Sequence, residues 1–267
     1  VPELPDVEGF KRLLAKNALR KTIDQVVVSD ARILGKLSAK RFAARLRGAK
    51  LVEARRHGKY LMARLDRGGW LTLHFGMTGA LQSVGRSGGE PPFTRLRLDF
   101  AGGGSLAYVN KRMIGRVGLT EDAADFVAAE RLGPDALDRR FDFEAFRAAL
   151  RDLKREVKSV LMDQQIVAGI GNIYSDEILF QARIDPATRT DELAPSQLKR
   201  LFVQMRKVLK TAVSRGAGSE QFVDRMPRGS LLPQRKKGGH CPRCRSSLRI
   251  FKLGSRTAYC CPRCQAG

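Results

Sequence analysis

The chain has 267 residues, enough for two ordinary domains that each bury a core, and its apolar fraction of 43% is that of a globular protein. Fifty Lys and Arg against 27 Asp and Glu leave a formal charge of +23, so the expected partner is a polyanion whose binding weakens steeply with salt. No apolar run reaches spanning length, and the start Val1-Pro-Glu-Leu-Pro-Asp has neither the basic nor the apolar region of a signal peptide, which predicts a soluble, intracellular protein with no membrane partner.

Val7, Phe10, Leu13 and Leu14 fall at helical spacing within residues 5–19 and predict an amphipathic helix directly behind the N-terminus. From Gln25 to about Leu119 the period becomes two. Leu61-Ala63-Leu65, Leu71-Leu73-Phe75 and Leu96-Leu98-Phe100 alternate with polar residues, and Asp-Arg-Gly-Gly, Arg-Ser-Gly-Gly and Ala-Gly-Gly-Gly turns separate them. This predicts an antiparallel sandwich or barrel. Residues 123–137 read as a connector, and the pattern is helical from there to about residue 215. In the clearest helix, Ser196 is the expected N-cap, and Leu198, Leu201, Phe202, Met205, Val208, Leu209 and Ala212 share one face; Gly216 and Gly218 end it.

Three constellations carry chemistry. The first is Cys-x2-Cys-x16-Cys-x2-Cys, formed by Cys241, Cys244, Cys261 and Cys264, a spacing that matches a ribbon-type structural zinc site. Four thiolates leave no open position, so one zinc ion is expected to fold the segment and not to catalyse. Cys260 is the spare fifth cysteine; its adjacency to Cys261 allows a ligand swap, but the Cys-Pro-Arg-Cys repeat selects the later residue. Nine Lys or Arg and no acid lie between Gln234 and Gly267, which points to phosphate contact. The second constellation is Val167-Ala-Gly-Ile-Gly-Asn172. Its two glycines suggest a helix-turn-helix whose backbone approaches another chain closely, with Asn172 capping a helix whose free amides face outward toward phosphate. The third is Pro2-Glu3. A free proline amine titrates near neutrality and is a usable nucleophile, and Glu3 beside it is a candidate general acid.

Pro2-Glu-Leu-Pro-Asp-Val-Glu8, Arg56-His-Gly-Lys-Tyr60, His74-Phe-Gly-Met-Thr-Gly79, the stretch from Asp163 to Pro186 and the four-cysteine segment occur in one order over nearly the whole chain. In this the chain resembles the formamidopyrimidine-DNA glycosylase and endonuclease VIII family, and its Glu-Leu-Pro opening is more similar to the formamidopyrimidine branch. The resemblance implies an α+β protein. Residues 1–122 would form an N-terminal catalytic antiparallel β-sandwich domain with flanking helices, 123–137 a linker, 138–239 a helical helix-two-turn-helix DNA-binding domain, and 240–267 a four-cysteine zinc-finger β-hairpin. It also implies a bifunctional DNA glycosylase and apurinic/apyrimidinic lyase for base-excision repair of oxidised purines, formamidopyrimidine and 8-oxoguanine. Such a protein would be a cytoplasmic, bacterial-type, nucleoid-associated monomer on damaged double-stranded DNA.

Residue by residue, the resemblance assigns Pro2 as the Schiff-base nucleophile for β,δ-elimination and Glu3 as proton donor to the opening sugar. Lys59 would contact the lesion and its phosphate. Lys158, Asn172 and Arg256 would hold phosphates, and Met77 and Arg112 would fill the void left by the everted base. The family's aromatic wedge is Ile114 here, which still inserts but stacks less well. Asp6 stands where glutamate is usual, and the segment from Gly218 to Cys241 is short. That short segment favours, as the alternative, an endonuclease VIII-like preference for oxidised pyrimidines. A further alternative is a protein that binds damaged DNA without cutting it. The proline chemistry requires removal of Val1, read as the translation of an alternative start codon.

Overall fold

The computed structural model describes residues 2–85 and 88–266. Val1 and the Arg86-Ser87 half of the second glycine turn therefore lie outside the described residues. The chain divides into two compact units, Pro2 with Asp6–Glu130, and Glu3–Pro5 with residues 131–266.

Helix α1 (Leu4–Ala18) buries Val7, Leu14 and Ala18 in the core of the first unit. Eight strands follow: β1 (Ile23–Val28), β2 (Leu51–His57), β3 (Tyr60–Leu65), β4 (Trp70–His74), β5 (Gly79–Val84), β6 (Thr94–Phe100), β7 (Ser105–Asn110) and β8 (Arg116–Thr120). They form two antiparallel sheets, ordered β1-β6-β7-β5 and β2-β3-β4-β8. Leu96, Leu98 and Leu106 of one sheet and Leu61, Leu71 and Leu73 of the other share a core with α1, so the unit is a sandwich. The period-two residues are the ones that point inward, since a pleated strand offers alternate side chains to one face.

Two helices stand where the sequence reads as strand or connector. Helix α2 (Ala39–Leu46) follows Ser38, whose hydroxyl accepts the Arg41 N–H, and its Phe42 and Leu46 are fully buried at i,i+4 spacing. Helix α3 (Ala123–Ala129) occupies the first half of the segment read as connector, capped by Asp122. Ala123 and the partly buried Phe126 and Val127 pack with Met62 and Trp70, so β3 and β4 bury residues on both faces. That second burial layer hides the simple alternation at Trp70–Thr72.

The second unit is helical: α4 (Phe143–Leu150), α5 (Val157–Met162), α6 (Asn172–Ala182) and α7 (Pro195–Arg215). Helix α7 starts one residue before the expected cap. Pro195 takes the first turn, where its missing N–H costs nothing, and the Gln197 side chain accepts the Ala194 N–H. Leu201, Met205 and Leu209 on its apolar face are wholly buried, contributing roughly 1.5–3 kcal/mol each. Gly216 closes the helix at φ 63°. Eight of the eleven residues of α6 are buried, which makes it the central helix. The last element is the antiparallel hairpin β9 (Arg249–Leu253) and β10 (Arg256–Cys260), whose turn residue Gly254 has φ 54°.

Candidate functional site

The N-terminal motif is anchored inside the second unit. Both Glu3 oxygens accept backbone N–H groups at the start of α6: Oε2 from Gly171 at 2.7 Å and Tyr174 at 3.2 Å, Oε1 from Ile173 at 2.8 Å. Leu4 N–H donates to the Gly169 carbonyl at 2.9 Å. Two expectations are corrected here. The N-cap of α6 is Gly171, not Asn172, and the helix amides face the chain's own glutamate, a carboxylate at the positive end of the helix dipole. The glycines do permit a close approach, but by the chain's own N-terminal segment. A Cβ at Gly169, which has φ +117°, would lie 2.6 Å from Leu4 Cδ1, and one at Gly171 would lie 2.5 Å from Glu3 Cδ. Asn172 begins the helix, and its Oδ1 is buried without a hydrogen-bond partner among the described residues.

On α5, Lys158 is 1% exposed, and its ammonium donates to Asp176 Oδ1 at 2.6 Å and to the Thr257 carbonyl of β10 at 2.8 Å. Arg235 donates to Asp176 Oδ2 at 2.7 Å, as does the Tyr259 N–H at 3.3 Å. Burial pushes the Asp176 carboxyl up and the Lys158 ammonium down; their mutual attraction counters both shifts, and Arg235 adds to it at the carboxylate. Two cations share one carboxylate, so the cluster keeps a net positive charge next to Arg256 at the head of β10. Lys158 and the exposed Arg256 line one cavity of about 280 Å3 with Arg155, Ser159 and Gly254. Arg235 also reaches the Asn172 carbonyl at 3.4 Å. The three residues expected to hold phosphate thus come together, through an Asp176–Arg235 pair that motif spacing did not reveal. The available signal was Asp176-Glu177 standing inside an apolar helix, since buried acids require partners.

The four expected cysteines form one cluster, with all Sγ atoms within 4.8 Å of one another. Cys241 and Cys264 are 3.8 Å apart and Cys244 and Cys261 are 3.4 Å apart, close to the ~3.8 Å that thiolates ~2.3 Å from a tetrahedral ion adopt. Backbone N–H groups of Arg243 and Cys264 donate to Cys241 Sγ and Cys261 Sγ. The residues therefore fit a four-thiolate metal ion. Cys260 is outside the cluster, buried against Arg249 across the hairpin. The cluster packs on Phe180 of α6, over whose ring the Arg243 guanidinium lies at 4.2 Å.

The first unit carries the other expected residues. Glu8 accepts Arg56 Nε at 3.0 Å, and the same guanidinium donates to the Gly58 carbonyl at 3.1 Å, which ties the turn bearing Lys59 to α1. Burial raises the Glu8 carboxyl, but Lys11 and Arg56 more than offset this and hold it below the ordinary glutamate range. Met77 and Ile114 lie on loops that touch: a Cβ at Gly76 would meet the Ile114 and Gly115 backbone at 2.7 Å. Arg112 N–H donates to Thr78 Oγ1 at 3.2 Å. Met77, Arg112 and Ile114 are thereby brought together, with Ile114 47% exposed.

Next to Lys59, the Tyr60 ring packs on the His74 ring with centroids 4.8 Å apart and planes tilted by 36°, and its hydroxyl donates to Glu130 at 2.8 Å. Burial, then the nearby cations Lys59 and Arg116, push the His74 imidazole down to about 4, while Glu130 works the other way. The unfolded chain takes up this proton near pH 6.5, the native sandwich only near 4. The stability His74 contributes is full above about pH 6.5 and is lost as pH falls toward 4, up to about 3 kcal/mol. The thermal midpoint should therefore drop more between pH 7.5 and 5 in the parent chain than in His74→Gln; equal drops would exclude His74 as the group.

Comparison with known proteins gives one family throughout. Residues 1–117 match the formamidopyrimidine-DNA glycosylase N-terminal domain, and residues 132–224 match the formamidopyrimidine-DNA glycosylase H2TH domain. The formamidopyrimidine-DNA glycosylase of Thermomicrobium roseum is 33% identical over 99% of both chains, and that of Heliobacterium modesticaldum is 34% identical over 99% of this chain and all of its own. The crystal structure of Lactococcus lactis formamidopyrimidine-DNA glycosylase bound non-covalently to DNA containing an abasic site superposes with a TM-score of 0.88 at 26% identity, covering 99% of this chain and 100% of that one. The Lactococcus lactis enzyme with DNA containing formamidopyrimidine-dG superposes at 0.89 and 27% identity, covering 99% and 100%. From the matched domains, the full-length relatives and the shared α+β fold, the chain belongs to the formamidopyrimidine-DNA glycosylase family.

Proposed function

We propose that the protein is a bifunctional DNA glycosylase and apurinic/apyrimidinic lyase that removes oxidised purines from double-stranded DNA. The observation that carries this reading is the seating of Glu3, whose carboxylate and flanking backbone anchor the N-terminus on α6 and so hold Pro2 at a defined place. Relatives solved with abasic-site, formamidopyrimidine-dG and carbocyclic 8-oxo-G DNA support the lesion class.

In this reading the Pro2 nitrogen, freed of any preceding residue, attacks C1′ with its lone pair while the glycosidic bond breaks, its electron pair leaving with the base, which takes a proton from water. Glu3 takes the proton that the nitrogen releases and hands it to O4′ as the sugar ring opens, so the one carboxylate relays the proton between the two atoms. A secondary amine gives an imine that is necessarily cationic, an electron sink that permits loss of a C2′ proton, elimination of the 3′-phosphate, and then of the 5′-phosphate. Lys59, Lys158, Asn172 and Arg256 hold phosphates, and Met77, Arg112 and Ile114 fill the gap left by the everted base. Residues 1–122 act as the catalytic sandwich, 138–239 as the helix-two-turn-helix module and 240–267 as a zinc finger. One structural zinc ion, bound by Cys241, Cys244, Cys261 and Cys264, stiffens the hairpin that presents Arg256.

Duplexes with a single 8-oxoguanine, formamidopyrimidine or thymine glycol test the reading, assayed for base release, strand cleavage and borohydride trapping. Release of the two purines with phosphate at both new ends is expected. A preference for thymine glycol would assign the endonuclease VIII-like activity instead. Selective binding with neither adduct nor release would mean a damage-binding protein.

A further inference from the structure

We infer that Phe93 is a stacking platform for a nucleobase left unpaired beside the lesion. This rests on the reading that the protein everts a nucleotide from duplex DNA. Among the described residues of the first unit, the exposed large apolar side chains are Phe93, at 46%, and Ile114, at 47%. Phe93 also has φ +63°, a left-handed conformation that a bulky side chain rarely adopts and that persists only where the surroundings over-determine it.

The surroundings here are specific. Thr94 Oγ1 donates to the Pro91 carbonyl at 2.7 Å, closing a tight turn around Phe93. Asn110 N–H donates to the Phe93 carbonyl at 3.0 Å, and Arg95 Nε donates to the Asn110 carbonyl at 3.0 Å. The Asn110 side chain is buried and bonded in turn to the Phe75 carbonyl and Tyr108 hydroxyl. Asn110 ends β7 and leads directly into Lys111, Arg112 and Ile114. The strained turn and the void-filling loop are therefore fixed by one residue.

The chemistry around the ring selects the ligand. The Lys111 ammonium lies 5.5 Å and the Arg95 guanidinium 6.0 Å from the ring centroid. An exposed aromatic that anchors a protein partner would sit among apolar neighbours; one ringed by cations suits a polyanion that also offers flat π-faces, which describes a nucleic-acid base flanked by phosphates. Ile114 can occupy volume but has no π-face. Phe93 supplies that face one loop away.

Equilibrium binding to two duplexes that differ only by one tetrahydrofuran abasic analogue tests this, using Phe93→Gly and Phe93→Trp. Glycine accepts the positive φ without strain, so Phe93→Gly should fold with an equal or higher thermal midpoint. It should lose affinity for the tetrahydrofuran duplex on the order of tenfold, the contribution of one stacked base, while Phe93→Trp retains it. Affinity for the undamaged duplex and the salt slope should stay within about twofold, because the phosphate contacts remain. If the parent protein prefers the tetrahydrofuran duplex and folded Phe93→Gly keeps that preference, the stacking role is wrong and the glycosylase reading stands. If Phe93→Gly weakens both duplexes equally, the role is likewise overturned. If the parent shows no preference, the reading and this inference fall together.

Discussion

Pro2→Gly is expected to cut borohydride-trapped adduct on an 8-oxoguanine duplex by about two orders of magnitude or more, with lesion binding nearly unchanged. Glycine keeps an α-amine, so the loss does not come from deleting the nucleophile's position. It comes from the imine. An imine of proline has no N–H to lose and stays cationic throughout, whereas one of glycine can shed its proton, become neutral and withdraw electrons poorly from C2′. Glycine before Glu3 also frees the backbone that proline restrains, which spreads the amine over more positions relative to C1′. Acetylating the Pro2 amine should abolish the adduct altogether. Full trapping by Pro2→Gly, or trapping by the acetylated protein, would place the nucleophile elsewhere, with Lys59 the next residue to test.

Removing the metal should collapse the hairpin and with it most of the DNA affinity. The segment that carries β9 and β10 shares an apolar cluster with little besides Phe180, Leu231, Leu248 and Tyr259, and the cysteines make up the rest. So small a core cannot hold a fold by burial alone, and metal binding supplies on the order of 10 kcal/mol in comparable four-ligand modules. Cys241→Ser, or a strong chelator on the parent protein, should release about one zinc per chain and weaken binding to every duplex. Arg256→Ala provides the comparison: it keeps its zinc, loses one phosphate contact, and lowers the salt slope by roughly one. Zinc loss that left binding intact would separate the hairpin from the DNA, and an unchanged salt slope in Arg256→Ala would remove that arginine from the phosphates.

The parts legible in the sequence are those governed by local rules. Alternation at Leu61-Ala63-Leu65 marks strand because a pleat has period two, and the face of Leu201, Met205 and Leu209 marks helix because a turn takes 3.6 residues. Helix α2 was legible too, from Ser38 and the Phe42–Leu46 pair, but it is short and lies among strands whose period dominates any window laid across it. Helix α3 offers a weak pattern of its own; what makes it part of the core is Met62 and Trp70, far away in sequence.

By itself the sequence determined the alternating sandwich strands, the apolar face of α7, the four-cysteine set, the basic character and the motif order that marks the family. Each of these depends on residue type and spacing along one stretch of chain. Tertiary structure alone decided which groups meet. It turned the α6 amides toward Glu3 and not toward solvent, because Gly169 and Gly171 lack the Cβ that would collide with Leu4 and Glu3. It placed Lys158 on Asp176, with Arg235 joining from the approach to the hairpin, because a carboxylate buried in the central helix requires cations. It also left Phe93 outside at a strained φ, held by Asn110. Such partners stand from 17 residues apart, as Phe93 and Asn110 do, to 168, as Glu3 and Gly171 do, and only packing brings them within a few ångströms.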